Sequence, residues 1–254
     1  MELILKNISY SYGAFSALRS ISASFSSGDM VALIGQNGSG KSTLLKCINR
    51  VVDPSRGDVF LDSLSVKELP INRVAEVMAY VPQYAEQIRF STVFDMVLLG
   101  RKPYISGAPT KQDYAKVAKS ITQLGLQELA MRRVDTLSGG ERQRVMIARA
   151  VAQEPKIILL DEPIANLDIK QQFAVMKLLQ ELALDGIIVI VAIHDIALAS
   201  RFCNRAVMLK HGTLFASGGR EVYNSDTINR LFDIEVDNYG SDYFDTRWLC
   251  GQQL

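Results

Sequence analysis

An α/β fold with a helical insertion is predicted for this chain by two features of its hydrophobic patterning. Short apolar runs of strand length alternate with helix-period stripes, and in the middle of the chain the strand runs nearly vanish. Residues 31–34, 157–160, 187–192 and 206–209 are apolar runs bounded by turn residues, the pattern of buried strands. Leu44, Leu45, Ile48, Val51 and Val52 form one helical stripe, and Phe173, Met176, Leu179 and Leu182 another. Tyr114, Val117, Ile121 and Leu124 form a third, opened by Thr110 with Asp113 at capping-box spacing. The stretch from about 84 to 155 is predicted to be a helical subdomain inserted in a single 1–254 α/β domain.

Bulk composition narrows the class. The 254 residues are 48% hydrophobic, enough for a sizeable core. The 28 basic and 27 acidic side chains leave a net charge of +1, which argues against nucleic acid held by charge and against a polybasic membrane anchor. Cys47, Cys203 and Cys250 are widely separated with no CxxC pair, the pattern of reduced thiols. The longest clean apolar run, 187–193, is too short to cross a bilayer, and no signal peptide is visible. Any membrane role is expected to run through a partner. The run from Asp233 to Asp245 holds five acidic residues and no basic one, the pattern of a solvated edge.

Gly35, Gln36, Asn37, Gly38, Ser39, Gly40, Lys41, Ser42 and Thr43 fit the phosphate-loop pattern G-x-x-x-x-G-K-[ST], between a predicted strand and a predicted helix. Glycines let the backbone curl so that N–H groups face phosphate oxygens, and the helix N-terminus adds its positive end. Lys41 places a full charge on the β- and γ-phosphates, and the Ser42 hydroxyl ligates Mg²⁺. The motif alone leaves kinases, GTPases and many ATPases open.

The strand 157–160 runs into Asp161 and Glu162. An apolar strand delivers such carboxylates to the edge of a parallel sheet, where ligands bind in these folds. Asp161 is the candidate to hold Mg²⁺ through water. Glu162, expected to point the opposite way along the strand, is the candidate to orient and deprotonate an attacking water. Further upstream, Leu137-Ser138-Gly139-Gly140-Glu141 has the spacing of a capping box. A cap has no need of two glycines, which weaken a helix; at a dipole end they leave room for another molecule's phosphate.

With all three motifs in order, the chain resembles the ATP-binding subunits of ABC transporters, whose signature LSGGQ reads LSGGE here. The resemblance spans nearly the whole chain and implies a P-loop ATPase core with an N-terminal antiparallel β subdomain and an inserted helical signature subdomain. It implies ATP and Mg²⁺ as ligands. It also assigns Tyr12 to stacking on adenine, Gln83 to sensing Mg²⁺ and water, and His194 to the γ-phosphate. Two copies are expected to meet head to tail, with ATP between Lys41 of one chain and Ser138, Gly139, Gly140 and Glu141 of the other. Asp168 falls in the dimer-contact loop, where Ala165 stands at a place often held by serine.

The segment from Thr92 through Gly100, Arg101 and Pro103 to Tyr104 is similar to that of iron-siderophore, haem and cobalamin importer ATPases. That similarity implies a polytopic membrane permease as partner, an extracytoplasmic solute-binding protein acting indirectly, and a peripheral place at the cytoplasmic face of the membrane. Molybdate or another metal species is the alternative solute, and a non-transport ABC ATPase the alternative class.

Overall fold

The computed structural model describes residues 1–83, 91–165 and 167–234. Tyr84, where the predicted insertion begins, Asn166, Cys250 and the acidic run beyond Ile234 lie outside the described residues.

The chain opens with strands β1 (Glu2–Tyr12) and β2 (Phe15–Ser26), followed by β3 (Met30–Ile34) and helix α1 (Lys41–Ile48). Then come β4 (Arg56–Leu61), β5 (Leu64–Ser65), α2 (Ile71–Val77) and β6 (Met78–Val81). Helices α3 (Val93–Leu98), α4 (Lys111–Gln123) and α5 (Gly139–Ala152) follow. The chain returns with β7 (Ile157–Asp161), α6 (Ile169–Leu184), β8 (Ile188–Ala192), α7 (Ile196–Phe202), β9 (Arg205–Lys210), β10 (Thr213–Gly218) and α8 (Ser225–Phe232). The α/β expectation holds, with every predicted strand found to within a residue or two of its predicted ends.

Two sheets share the work. An antiparallel sheet of order β2-β1-β4-β5 faces a sheet of order β10-β9-β3-β8-β7-β6, parallel except for β10 at its edge. Alternate side chains of the central strands enter different cores, because successive residues of a strand face opposite ways. Val31, Leu33, Ile157, Leu159, Ile188 and Ile190 pack with Leu44, Leu45 and Ile48 of α1 and with Leu3, Leu5 and Ile8 of the antiparallel sheet. Ala32, Ile158, Leu160, Val189 and Val191 face Val175, Met176 and Leu179 of α6 and the helical layer of Val93, Val117 and Ile147. Helix α1 is thus gripped between the two sheets, which fixes the loop that leads into it.

The Val51 and Val52 end of the first helical stripe departs from expectation. Helix α1 stops at Ile48, Arg50 takes a left-handed φ of 54°, and Val51 is exposed. The Asn49 amide still bonds back to Leu45, and the left-handed residue then turns the chain out of the helix.

Gly100 and Arg101, singled out in the importer-like segment, turn inward. A Cβ on Gly100 would sit 2.1 Å from the Arg149 carbonyl oxygen of α5. Buried Arg101 donates to Asp113 Oδ1 at 3.1 Å, to the Ala152 carbonyl at 2.8 Å and to Glu154 Oε2 at 3.3 Å, and lies over the Tyr104 ring. This pair therefore ties the segment after α3 to the start of α4 and the end of α5, while Leu99 and Tyr104 stay exposed. Gly100→Ala is expected to lower stability by about 1–3 kcal/mol through overpacking, read as a lowered Tm with unchanged nucleotide affinity. An unaltered Tm would show that α5 yields without cost.

Candidate functional site

The phosphate loop is built from the end of β3 to the start of α1. Gly40 has φ 103°, and a Cβ there would meet Leu18 Cδ2 at 2.7 Å and the Ala17 carbonyl at 2.9 Å, so both conformation and space demand glycine. Asn37 and Gly38 lie exposed at the loop tip, while Ser39 is buried with an unpartnered hydroxyl. Lys41 is 5% exposed and its Nζ donates to the Gly35 and Gln36 carbonyls at 2.8 and 3.1 Å. Burial pushes its ammonium below the usual lysine range, against the pull of the Glu162 and Asp161 carboxylates. Thr43 packs beneath the loop in the first turn of α1.

The Gln36 side chain points away from the cradle. Its amide donates to the Leu231 carbonyl at 3.3 Å and reaches Asp233, which also accepts from Lys210 at 2.6 Å. The end of α8 thereby buttresses the loop, and only the Gln36 backbone remains for a phosphate.

Parallel pairing puts β7 beside β6 and β8, so three strand ends converge. Ser42 Oγ donates to Asp161 Oδ1 at 3.0 Å, joining residues 119 positions apart. Burial raises the Asp161 carboxyl above the usual range; the Ser42 hydrogen bond opposes this and the Glu162 charge adds to it. The expectation for Glu162 changes in its reason. Strand β7 ends at Asp161, and Glu162 adopts a left-handed φ of 52°, so a turn and not strand alternation separates the two carboxylates. Such a conformation at a non-glycine residue costs about 1–3 kcal/mol and persists where surroundings impose it; here the Glu162 amide is held by the Ala192 carbonyl at 3.1 Å.

Gln83 Nε2 donates to Glu162 Oε2 at 2.6 Å, and His194 Nε2 donates to Glu162 Oε1. Both oxygens of one carboxylate are therefore engaged by residues from two different strand ends. Tyr12, at the end of β1, is half exposed and packs edge-on against Tyr10 with ring centroids 4.9 Å apart.

The signature residues Ser138, Gly139, Gly140 and Glu141 form the first turn of α5. The capping box is complete: the Glu141 amide donates to Ser138 Oγ at 3.3 Å, and the Ser138 amide to Glu141 Oε2 at 2.8 Å. Ser138 and Gly139 are exposed, and the Gly139 and Gly140 amides, at the first two helical positions, have no intrahelical acceptor. Asp168 caps α6 by accepting from the Gln171 amide at 2.8 Å, beside exposed Ile169.

The donor set fits a metal–nucleotide. Ser42 and Asp161 offer hard oxygens of the kind Mg²⁺ takes, and among the described residues the Ser39 hydroxyl has no partner, in a loop whose lysine bonds to the loop's own Gly35 and Gln36 carbonyls. Sequence reasoning missed Tyr80, Lys210 and the α8 contact; only three-dimensional strand register brings them to the site.

A phosphate loop clamped between two sheets, beside a strand tipped with acids, defines a P-loop ATPase cassette. The family model described as ABC transporter matches residues 18–165. An uncharacterized ABC transporter ATP-binding protein of Methanocaldococcus jannaschii is 42% identical, covering 93% of each chain. A cobalamin import ATP-binding protein of Halobacterium salinarum is 38% identical over 86% of this chain and 56% of its own length. A petrobactin import ATP-binding protein of Bacillus subtilis is 32% identical over 91% and 93%. A phosphonates import ATP-binding protein of Rhodopseudomonas palustris is 38% identical over 86% and 82%. Among solved structures, the dimeric cassette of a bacterial ABC transporter superposes with a TM-score of 0.79 at 31% identity, covering 86% of this chain and 98% of that one. The chain belongs to the ABC transporter family and is an ATP-hydrolysing subunit of it.

Proposed function

We propose that the chain powers an importer of a metal chelate, of the iron-siderophore, haem or cobalamin kind, as a head-to-tail dimer beneath a polytopic permease at the cytoplasmic face of the membrane. A solute-binding protein on the other side would take part only through that permease. The observation that carries the ATPase part of this reading is the convergence on Glu162: Gln83 and His194 hold its two oxygens, next to the Ser42–Asp161 pair. The relatives named for cobalamin and petrobactin, together with the segment through Gly100 and Arg101, support the solute class. No helix among the described residues is long and apolar enough to cross a membrane, in keeping with a partner that does so.

In this reading Tyr12 stacks on the adenine, and the backbone of residues 35–43 with Lys41 encloses the phosphates. Mg²⁺ on Ser42, Asp161 and Gln83 would neutralise charge building on the β- and γ-phosphates. Glu162 takes the proton of the attacking water, and Gln83 and His194 keep its carboxylate aimed. The Gly139 and Gly140 amides, at the positive end of α5 and behind exposed Ser138 and Gly139, suit the γ-phosphate held by a second copy. Asp168 and Ile169 face that same partner.

Ser138→Arg tests the arrangement between copies. The variant is expected to bind a single ATP with near-normal affinity, measured by calorimetry, yet to show no ATP-dependent dimer on size-exclusion chromatography. Loss of monomer binding as severe as that of a phosphate-loop variant would place Ser138 on its own chain's nucleotide and defeat the trans arrangement.

A further inference from the structure

Glu162 holds a left-handed φ of 52°, a conformation its own Cβ disfavours, so its aim depends on what grips the chain on either side. Upstream, its amide donates to the Ala192 carbonyl at the end of β8, at 3.1 Å. Downstream comes Pro163, whose ring nitrogen has no proton to give. The next anchor is the Ile164 carbonyl. It accepts two bonds, from the Leu167 amide and from Gln172 Nε2, each at 3.2 Å. Facing a carbonyl oxygen, only the amino end of the glutamine amide can bond, so the orientation of Gln172 is fixed. Gln172 stands near the start of α6, a helix capped by Asp168 and packed into the core through Val175, Met176 and Leu179. Both ties on the Glu162 turn thus belong to one frame, β8 with α6. Gln172 also lines a cavity of about 150 Å³ together with Glu162, Ala165 and His194. The two Glu162 oxygens are taken by Gln83 and His194, so Gln172 acts on the backbone that carries them.

We propose that Gln172 is a positioning residue for ATP hydrolysis. By gripping the Ile164 carbonyl from α6 it fixes the turn after β7, and with it the aim of the Glu162 carboxylate at the attacking water. Without that grip the turn loses its tie to α6 and relaxes from the left-handed conformation, swinging the carboxylate off line. This rests on the reading of Glu162 as the general base.

The test is steady-state hydrolysis of ATP with Mg²⁺ by the full chain, with single-turnover phosphate release where turnover is slow. Gln172→Met keeps the length and helix propensity of the side chain but has no proton to donate. It is expected to lower kcat about 10- to 100-fold, the cost of moving a reacting group by up to about an ångström, with KM and Tm near those of wild type. In a Glu162→Gln background, Gln172→Met should slow hydrolysis no further, because the carboxylate it serves is gone. The ATP-bound dimer should still accumulate there. Normal kcat in Gln172→Met beside slow hydrolysis in Glu162→Gln overturns the role of Gln172 and leaves the base in place. Near-normal hydrolysis in Glu162→Gln overturns the base, and the proposal with it. A lowered Tm with kcat and KM both impaired, further slowing on top of Glu162→Gln, or loss of the ATP-bound dimer makes Gln172 a packing or interface residue only.

Discussion

Glu162→Gln should slow phosphate release by about 10²–10⁴ while leaving ATP affinity intact or higher. Loss of a general base from an otherwise unchanged site costs that much in rate. The amide retains the size of the carboxylate and can still meet Gln83 and His194, which now bond its two oxygens. One negative charge beside the triphosphate disappears, so binding has no reason to fall. Slow hydrolysis with firm binding makes an ATP-bound dimer accumulate, visible on size-exclusion chromatography. Asp161→Asn should behave otherwise, because it disturbs the partner of Ser42 and hence the metal complex. A Glu162→Gln protein that stays monomeric and turns over near the normal rate removes Glu162 from the reaction, and His194 becomes the next candidate base.

Lys41→Ala should abolish measurable turnover and weaken ATP binding by about 10- to 100-fold, the range expected when a charge-assisted hydrogen bond to phosphate is lost. In the free protein the ammonium bonds to the Gly35 and Gln36 carbonyls, so the variant also leaves two loop acceptors without their donor. Circular dichroism and a thermal melt separate a slackened loop from a lost fold. The fold should survive, since α1 is held by Leu44, Leu45 and Ile48 packed between the sheets. Wild-type turnover in Lys41→Ala would contradict the assignment of residues 35–43 as the phosphate cradle.

The sequence was most readable where chemistry is local. The phosphate loop needs its glycines, its lysine and its serine within a few positions, and the structure places the loop between the strand and helix its flanks predict. The capping boxes at Thr110 and Ser138 were likewise visible as spacings, because the bonds they make span three residues. Strands β3, β7, β8 and β9 could be read because a strand buried on both faces is apolar throughout. The N-terminal strands could not be read from their pattern. Strand β1 is buried at Leu3, Leu5 and Ile8, which breaks the two-residue period, and register shifts fall between Leu5 and Ile8. Such irregularity erases the alternation a strand would otherwise show. What joins Ser42 to Asp161, Gln83 to Glu162, and Tyr80 to the face of Asp161 is strand order in the sheet. Residues so far apart carry no mutual signal in a single sequence.

The central strands hold two cores apart while sharing one backbone, and this gives each strand two audiences. Odd-numbered neighbours such as Val31, Leu33, Ile157 and Leu159 speak to the grip on α1; Ala32, Ile158 and Leu160 speak to the helical layer. Side-chain volume can therefore change on one face without loosening the other, so the helical layer can be repacked while the grip on the phosphate loop stays as it was.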